Sequence, residues 1–319
     1  MLEVLQSLQP HFSEVEKHMA LALASAEVRV DDLIARLGSF HGKMLRPALV
    51  LLVAEAAGGI QPVHHRLGAS LELIHTATLI HDDLIDDSGL RRGQPTAHVV
   101  FGNTTSVLLG DYFYTHAFDL MADIGDLAAM KRLTVTTNIM CTGELHQQCA
   151  ARDTALSEGE YNRIIFAKTA ALCELAGELG AVRGTPAQRA AAAAYARACG
   201  MAFQIADDCL DFSGDAKKVG KTLATDIERG RLTLPIIRLL ESLGGPARAV
   251  AAQRLTSVAT LADVDAVRAM VVDGGGVRAA LDTARGYIAI AQKQLDAFPP
   301  GPHRQRLWDL AEFIVARDF

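Results

Sequence analysis

Aromatic residues make up only 5% of the 319 positions, with a single tryptophan. Sandwiches and barrels rely on aromatic and β-branched side chains, so that scarcity disfavours an all-β fold. Cysteine is also sparse: Cys141, Cys149, Cys173, Cys199 and Cys209 are odd in number and include no Cys-x-x-Cys pair. That pattern excludes a disulfide framework and reads as reduced thiols in a cytoplasmic protein. Long hydrophobic runs are missing, because "PALVLLVA" at 47–54 is far too short to span a bilayer. The N-terminal segment carries Glu3, His11, Glu14, Glu16 and Lys17 where a secretory leader needs an apolar core. Nor is there an excess of positive charge: the net charge is −6 and the pI near 6.0. No global field therefore attracts nucleic acid or an anionic membrane, and an anionic ligand has to be held by local basic clusters.

Half of the chain is apolar, dominated by alanine and leucine, which favours helices. In "GASLELIHTATLIHDDLID" the residues Leu71, Ile74, Leu79 and Ile80 fall on broadly one side of a helix. No proline occurs between 96 and 185, which leaves room for several long helices, and the β-looking "RLTVTTNIM" at 132–140 is read as one of them. Thr185 as N-cap and Pro186 at the first helical position open a long alanine-rich helix. Loops are expected at 87–96, 212–233 and 296–303. No short-period repeat or linker divides the chain, so the expectation is one all-α domain over 1–319.

The chemistry begins at "LIHDDLIDDSGLRRG", 79–93, where four aspartates occupy six positions and two arginines follow. On a helix Asp82 and Asp86 share a face, as do Asp83 and Asp87, and paired carboxylates of this kind converge on a hard cation. Negative charge at a helix C-terminus opposes the macrodipole, a local conflict that suggests function. A second copy of the spacing, "FQIADDCLDF", places Asp207, Asp208 and Asp211 about 125 residues later, again in an apolar helix. Two solvated helix ends do not account for both. Two helices offering carboxylates would hold metal ions that in turn hold a diphosphate.

Basic residues sit beside both motifs. Arg91 and Arg92 follow the first by one short loop, and "HGKMLRP" supplies Lys43 and Arg46 one turn apart. "FAKTA" offers Lys168 and Thr169, and "VGKTLATDIERGR" offers Lys221, Arg229 and Arg231. Each alone is more often a surface charge; their placement beside the acidic motifs carries the weight, because diphosphates are also recognised by charge-assisted hydrogen bonds. "GKT" at 220–222 is not a phosphate-binding loop, since position 215 is Asp where the first glycine belongs.

From about residue 30 onward the sequence resembles the trans-isoprenyl (polyprenyl) diphosphate synthases, most of all the medium- and long-chain ones. The two aspartate-rich motifs, "LRRG", "GELHQ" at 143–147, "KTA", "FQIADD" and the "GK…GR-LTLP" segment stand in that family's order and spacing. The resemblance implies an all-α isoprenoid-synthase bundle around a deep central cavity, usually a homodimer, without membrane insertion. It implies Mg²⁺ held by Asp82, Asp86, Asp207 and Asp211. Isopentenyl diphosphate would be held by Lys43, Arg46, His75 and Arg92, and the allylic diphosphate by Arg91, Lys168, Thr169, Gln204 and Lys221. No protein nucleophile is implied; the departing diphosphate takes the proton. His75 is read as functional and His81 as structural. Three positions depart from the family's pattern: His41 and Ala224 each replace a glycine, and Arg231 replaces a lysine.

Product length follows from helix geometry. A tail growing from Asp82 runs past Thr78 and Ala77, one turn upstream on the same face. In this family bulky aromatics there stop growth; here both residues are small, and the first motif lacks a two-residue insertion. The expected product is longer than about four isoprene units. A deeper stop would come from Ile74, Leu73 or a residue on a facing helix such as Met140. The alternatives are a short-chain farnesyl or geranylgeranyl synthase and a non-catalytic partner subunit, the latter expected to lose an aspartate motif. A terpene cyclase would replace "DDCLD" with an Asn/Ser/Glu motif. A di-iron bundle would need two Glu-x-x-His motifs, where "ELIH" at 72–75 is one.

Overall fold

Alanine- and leucine-rich stretches become helices along the whole computed structural model, which describes residues 6–37, 44–213 and 225–316. In chain order these are α1 (Gln9–Leu23), α2 (Val28–Arg36), α3 (Leu45–Ala56), α4 (Pro62–Ile85), α5 (Ala97–Phe101) and α6 (Asn103–Ala122). There follow α7 (Leu127–Cys149), α8 (Glu158–Ile165), α9 (Ala171–Gly180), α10 (Pro186–Ser213), α11 (Thr225–Glu228) and α12 (Leu234–Ser242). The last four are α13 (Gly245–Thr256), α14 (Leu261–Asp273), α15 (Gly276–Gln294) and α16 (Pro302–Val315). The all-α expectation holds, and 132–140 lies inside α7. Thr185 caps α10 as expected: its hydroxyl accepts from the Gln188 N–H, while the Gln188 side chain accepts from the Thr185 N–H.

Two loop expectations need correction. Within 212–233 the described residues include the short helix α11, Thr225–Glu228. Within 87–96 the chain folds back as a two-stranded ribbon, β1 (Leu90–Arg91) against β2 (Gln94–Pro95), antiparallel. Arg92 and Gly93 form its two-residue turn with φ of 52° and 77°. Two successive positive φ values are the type I′ geometry that matches strand twist, and glycine supplies the second without a Cβ penalty.

The described residues fall into two compact units. The first comprises Met1–Val135, Leu175–Ala193 and Ala297–Leu307; the second comprises Thr136–Glu174, Ala194–Asp296 and Trp308–Phe319.

In the first unit α4 is the central element, packing chiefly on α6 and also on α3 and α1. Its middle turns from Leu67 to Ile74 are buried throughout, including Ser70, whose hydroxyl donates to the Ala117 carbonyl of α6. Near the end of α4 the His81 ring lies where α6 has no side chain: a Cβ on Gly110 would collide with His81 Nε2. His81 also pairs with the Val107 carbonyl at 3.1 Å, so its role is to seat α4 on α6 just before Asp82.

His64, at the start of α4, is buried and accepts the Gln61 N–H on Nδ1 at 2.9 Å. Burial, with the nearby His65 and Arg183, holds its pKa down at about 4, against 6.5 for a free histidine. The unfolded chain therefore binds a proton that the folded one refuses between those values. Stability from this site is fully present above about 6.5 and is lost as pH falls toward about 4. The urea midpoint should drop between pH 7 and pH 5, and His64→Asn should flatten that slope. An unchanged slope would remove His64 from the account. His65 and His18 are displaced in the same direction, so some slope remains.

In the second unit α12 packs on α15, and α10 sends Tyr195, Ile205, Cys209 and Phe212 into the core. α8 opens with a capping box in which Ser157 and Glu160 bond reciprocally. It runs into one π-helical turn, Phe166–Ala170, before α9.

Candidate functional site

In the first unit the aspartates occupy the end of α4. Asp82 and Asp83 lie in its last turn, Asp86 is the C-cap residue, and Asp87 takes a left-handed φ of 45°. The two members of the pair Asp82–Asp83 face different surroundings. Asp83 is 6% exposed, and both of its oxygens accept from the Arg91 Nε, at 2.9 and 2.7 Å. Asp82 and Asp86 are half-buried. The ribbon explains this: its turn reverses the chain after α4 and returns Arg91 to Asp83, leaving Arg92 exposed at the tip.

Further back along α4, two of the residues grouped together from sequence, Arg46 and His75, are in contact. Arg46 Nη1 lies 3.0 Å from His75 Nε2. Since a guanidinium only donates, His75 is the acceptor and carries no proton on Nε2. Burial first, then the charges of Arg46, Arg91 and Arg92, hold the His75 pKa well below the ordinary histidine range. Glu72, not singled out as a site residue from sequence, is 3% exposed and joins the same cluster. Burial raises its pKa, and Arg46 and Arg92 pull against that shift. Glu72 Oε2 and Arg46 Nε are buried atoms with no hydrogen-bond partner among the described residues. Buried polar atoms are normally paired, so these two leave hydrogen-bonding capacity for water or a polar ligand. The Glu72–His75 pair faces arginines, which removes the di-iron reading of "ELIH". Lys43 lies outside the described residues.

In the second unit Asp207, Asp208 and Asp211 occupy the last two turns of α10. The division of labour repeats. Asp208 is 5% exposed, accepts the Tyr161 hydroxyl at 2.6 Å and accepts Gln204 Nε2 at 2.8 Å. Asp207 and Asp211 are half-buried, and the Asp226 N–H donates to Asp211 Oδ2 at 3.2 Å. Burial, then Asp226, raises the Asp208 pKa well above the carboxylate range. Burial likewise raises Asp226, opposed by Arg231 and Lys168. Arg231, where the family's pattern has lysine, keeps that contact at 3.7 Å from Asp226.

The π-helical turn carries Lys168 and Thr169, and such turns are frequent at functional positions. Lys168 donates to Glu144 Oε2 at 2.9 Å and Gln147 Oε1 at 3.0 Å, which gives "GELHQ" its physical meaning. Thr169 donates to the Gln204 carbonyl at 2.6 Å. The structure thus brings together Lys168 with Glu144 and Gln147, and Thr169 with Gln204; Lys221 and Ala224 lie outside the described residues. Tyr161, Asp226 and Glu144 were missed from sequence as site residues, although "GELHQ" pointed at the last.

No three His, Cys, Asp or Glu side chains among the described residues form a ready-made metal cage. Each motif instead offers two half-buried oxygen donors at helical spacing. That set suits a hard cation such as Mg²⁺, which takes one or two carboxylates and completes its shell with water and phosphate oxygens. The donor chemistry therefore fits a divalent ion bound together with a diphosphate.

An all-α scaffold with two such helix ends, each flanked by fixed cations, has the makings of a diphosphate-handling transferase. The chain belongs to the polyprenyl synthetase family, whose profile matches residues 28–271. It is 34% identical to an octaprenyl diphosphate synthase of Escherichia coli strain K12 over 90% of this chain and 91% of that one. It is also 34% identical to a short chain isoprenyl diphosphate synthase of Methanothermobacter thermautotrophicus, over 87% of each. The crystal structure of a Caulobacter crescentus CB15 polyprenyl synthase complexed with calcium and isoprenyl diphosphate superposes with a TM-score of 0.92. The identity there is 34%, covering 98% of this chain and 97% of that one. As a member of this family the chain is a transferase.

Proposed function

We propose that the enzyme condenses isopentenyl diphosphate with an allylic prenyl diphosphate to make all-trans polyprenyl diphosphates longer than about four isoprene units. The observation that carries this reading is the repeated arrangement at the two DDxxD motifs. In each, the second aspartate is tied to a protein partner, Asp83 to Arg91 and Asp208 to Tyr161. The first and fifth lie half-buried at the helix end, one turn apart on the same face. We assign Asp82 and Asp86, and Asp207 and Asp211, to Mg²⁺; that the Caulobacter crescentus relative is complexed with both calcium and isoprenyl diphosphate supports a divalent ion here. The metal supplies charge neutralisation to a departing diphosphate.

The chain's own groups do the positioning. Arg46, its unprotonated partner His75, and Arg92 suit the diphosphate of isopentenyl diphosphate, together with Lys43. Arg91, with Nε fixed on Asp83, and Lys168, Thr169, Gln204 and Lys221 suit the allylic diphosphate. The allylic C–O bond breaks with its electron pair leaving on diphosphate. The isopentenyl double bond then attacks the allylic carbon, and the departed diphosphate takes a proton from the adjacent carbon, restoring an alkene. No protein nucleophile is required; fixed charges acting on the leaving anion lower the barrier.

The relatives at equal identity include both octaprenyl and short chain enzymes, so identity does not rank product length. Local geometry supports the longer product. Ala77 is fully buried, and the Thr78 hydroxyl donates to the His75 carbonyl at 2.7 Å, leaving only a methyl to meet a prenyl tail. We further propose one catalytic domain acting as a cytoplasmic homodimer. No helix among the described residues is long and apolar enough to cross a membrane.

The test uses purified protein, Mg²⁺, isopentenyl diphosphate and farnesyl diphosphate, with products sized by mass spectrometry. The expected result is a ladder ending at about six or more units, as an unobstructed turn above Asp82 permits. An end at about four would overturn the length assignment. No elongation of any allylic starter would overturn the synthase and bring forward the partner-subunit reading.

A further inference from the structure

We propose that Tyr161 is a positioning residue for the allylic half of this reaction, acting through Asp208 and Gln204 without touching substrate. The inference rests on the transferase reading above. Tyr161 belongs to none of the motifs that mark the family in this sequence, and nothing in its own neighbourhood of the chain announces it. The fold makes it significant. The capping box at Ser157–Glu160 starts α8, and the next residue, Tyr161, is 2% exposed. Its hydroxyl donates to Asp208 Oδ2 at 2.6 Å. Asp208 Oδ1 accepts from Gln204 Nε2 at 2.8 Å, and Gln204 Oε1 accepts from Thr169 at 2.6 Å.

With both Asp208 oxygens accepting, this chain of contacts has one consistent arrangement. A glutamine amide has a donor end and an acceptor end. Turned over, Gln204 would set its carbonyl oxygen against a carboxylate oxygen of Asp208. Asp208 therefore fixes which end of Gln204 faces Thr169. Tyr161 fixes Asp208, because without the phenol one buried carboxylate oxygen loses a short hydrogen bond. Burial and the neighbouring Asp208 push the phenol's pKa well above its usual value, so it stays a donor at any working pH. Two consequences reach the reaction. The Gln204 amide and Thr169 are held in one orientation toward the allylic diphosphate, and the last turns of α10, which carry Asp207 and Asp211, are anchored from inside.

Tyr161→Phe removes one hydroxyl and keeps the ring. In the full-length enzyme, kcat should fall about tenfold, the size of one lost buried hydrogen bond. KM for farnesyl diphosphate should rise, and KM for isopentenyl diphosphate should stay unchanged. The double variant Tyr161→Phe/Asp208→Asn should be no slower than Asp208→Asn alone, because both act on one link. A second readout is independent of turnover: the rise in Tm on adding MgCl₂ with inorganic pyrophosphate should be smaller in Tyr161→Phe than in wild type. Wild-type kinetics with only a lowered Tm would reduce Tyr161 to a core residue and overturn the proposal. So would strictly additive effects in the double variant. If Tyr161→Phe does not fold, Asp208→Asn alone carries the same kinetic and pyrophosphate comparisons. If wild type makes no product, the transferase reading fails, while the pyrophosphate comparison still decides the role of Tyr161.

Discussion

Asp82→Asn lowers kcat/KM by about 10³ with little change in Tm, whereas Asp83→Asn chiefly lowers Tm and reduces kcat/KM by far less, through the loosened Arg91. The contrast follows from where the two neighbours point. Asp82 is half-buried in the last turn of α4, where the helix dipole disfavours negative charge. Removing that charge relieves about 0.3–1 kcal/mol of unfavourable dipole interaction. It also removes a metal-binding oxygen from a site whose purpose is to stabilise a leaving anion, a loss on the order of 10²–10³ in rate for a single such group. Asp83 is 6% exposed and carries the Arg91 contacts at 2.7 and 2.9 Å. Asparagine there leaves a guanidinium short of its countercharge. With Arg91 about one-third exposed, solvent screening limits the cost to about 1–3 kcal/mol. Steady-state rates with a Mg²⁺ titration, set beside urea melts of the same two variants, separate ligand from anchor. A fully active, destabilised Asp82→Asn would sink the metal assignment.

Much of this was legible in the sequence because helices carry local signatures. Thr185-Pro186 announced α10, and the two DDxxD spacings announced two helix ends. The ribbon at 90–95 was less legible, since "LRRGQP" offers arginine at a positive φ, a position where Asn or Gly is the usual signal. The anchors were not legible at all. Tyr161 and Asp208 are 47 residues apart, and Lys168 and Glu144 are 24 apart. Nothing in one-dimensional periodicity pairs them. Glu72 was visible as part of "ELIH" but suggested metal chemistry, because spacing alone does not reveal whether a carboxylate faces a cation of the protein or one from solution. Its buried setting beside Arg46 and Arg92 decides that. Burial draws the same line within each aspartate pair: Asp83 and Asp208 are buried, while Asp82 and Asp207 are half-buried.

Thr78→Phe shortens the product, and the choice of Thr78 over Ala77 is itself an argument about packing. Both residues lie about one turn, or roughly 6 Å, before Asp82 along α4. Ala77 is 0% exposed, so a phenyl ring at that position overpacks the core at a cost of about 1–3 kcal/mol. Thr78 is half-buried, and its hydroxyl is already satisfied by the His75 carbonyl at 2.7 Å. Replacing it forfeits one intrahelical hydrogen bond that competes with the helix and adds a ring directed outward from α4. The fold should tolerate this, and the ring should block a tail that has grown past the first turn. Products sized by mass spectrometry should end at about four isoprene units or fewer in Thr78→Phe, because a close-packed wall has no room for a further branched unit. The rate of the first condensation, read with a short allylic starter, should stay within about threefold of wild type, since the ring stands a full turn from the reacting carbon. Ala77→Phe should shorten the product too, with a measurable loss of stability. An unchanged ladder in both variants would mean that the tail does not run along this face of α4, and the limit to growth would have to be sought at Ile74, Leu73 or Met140.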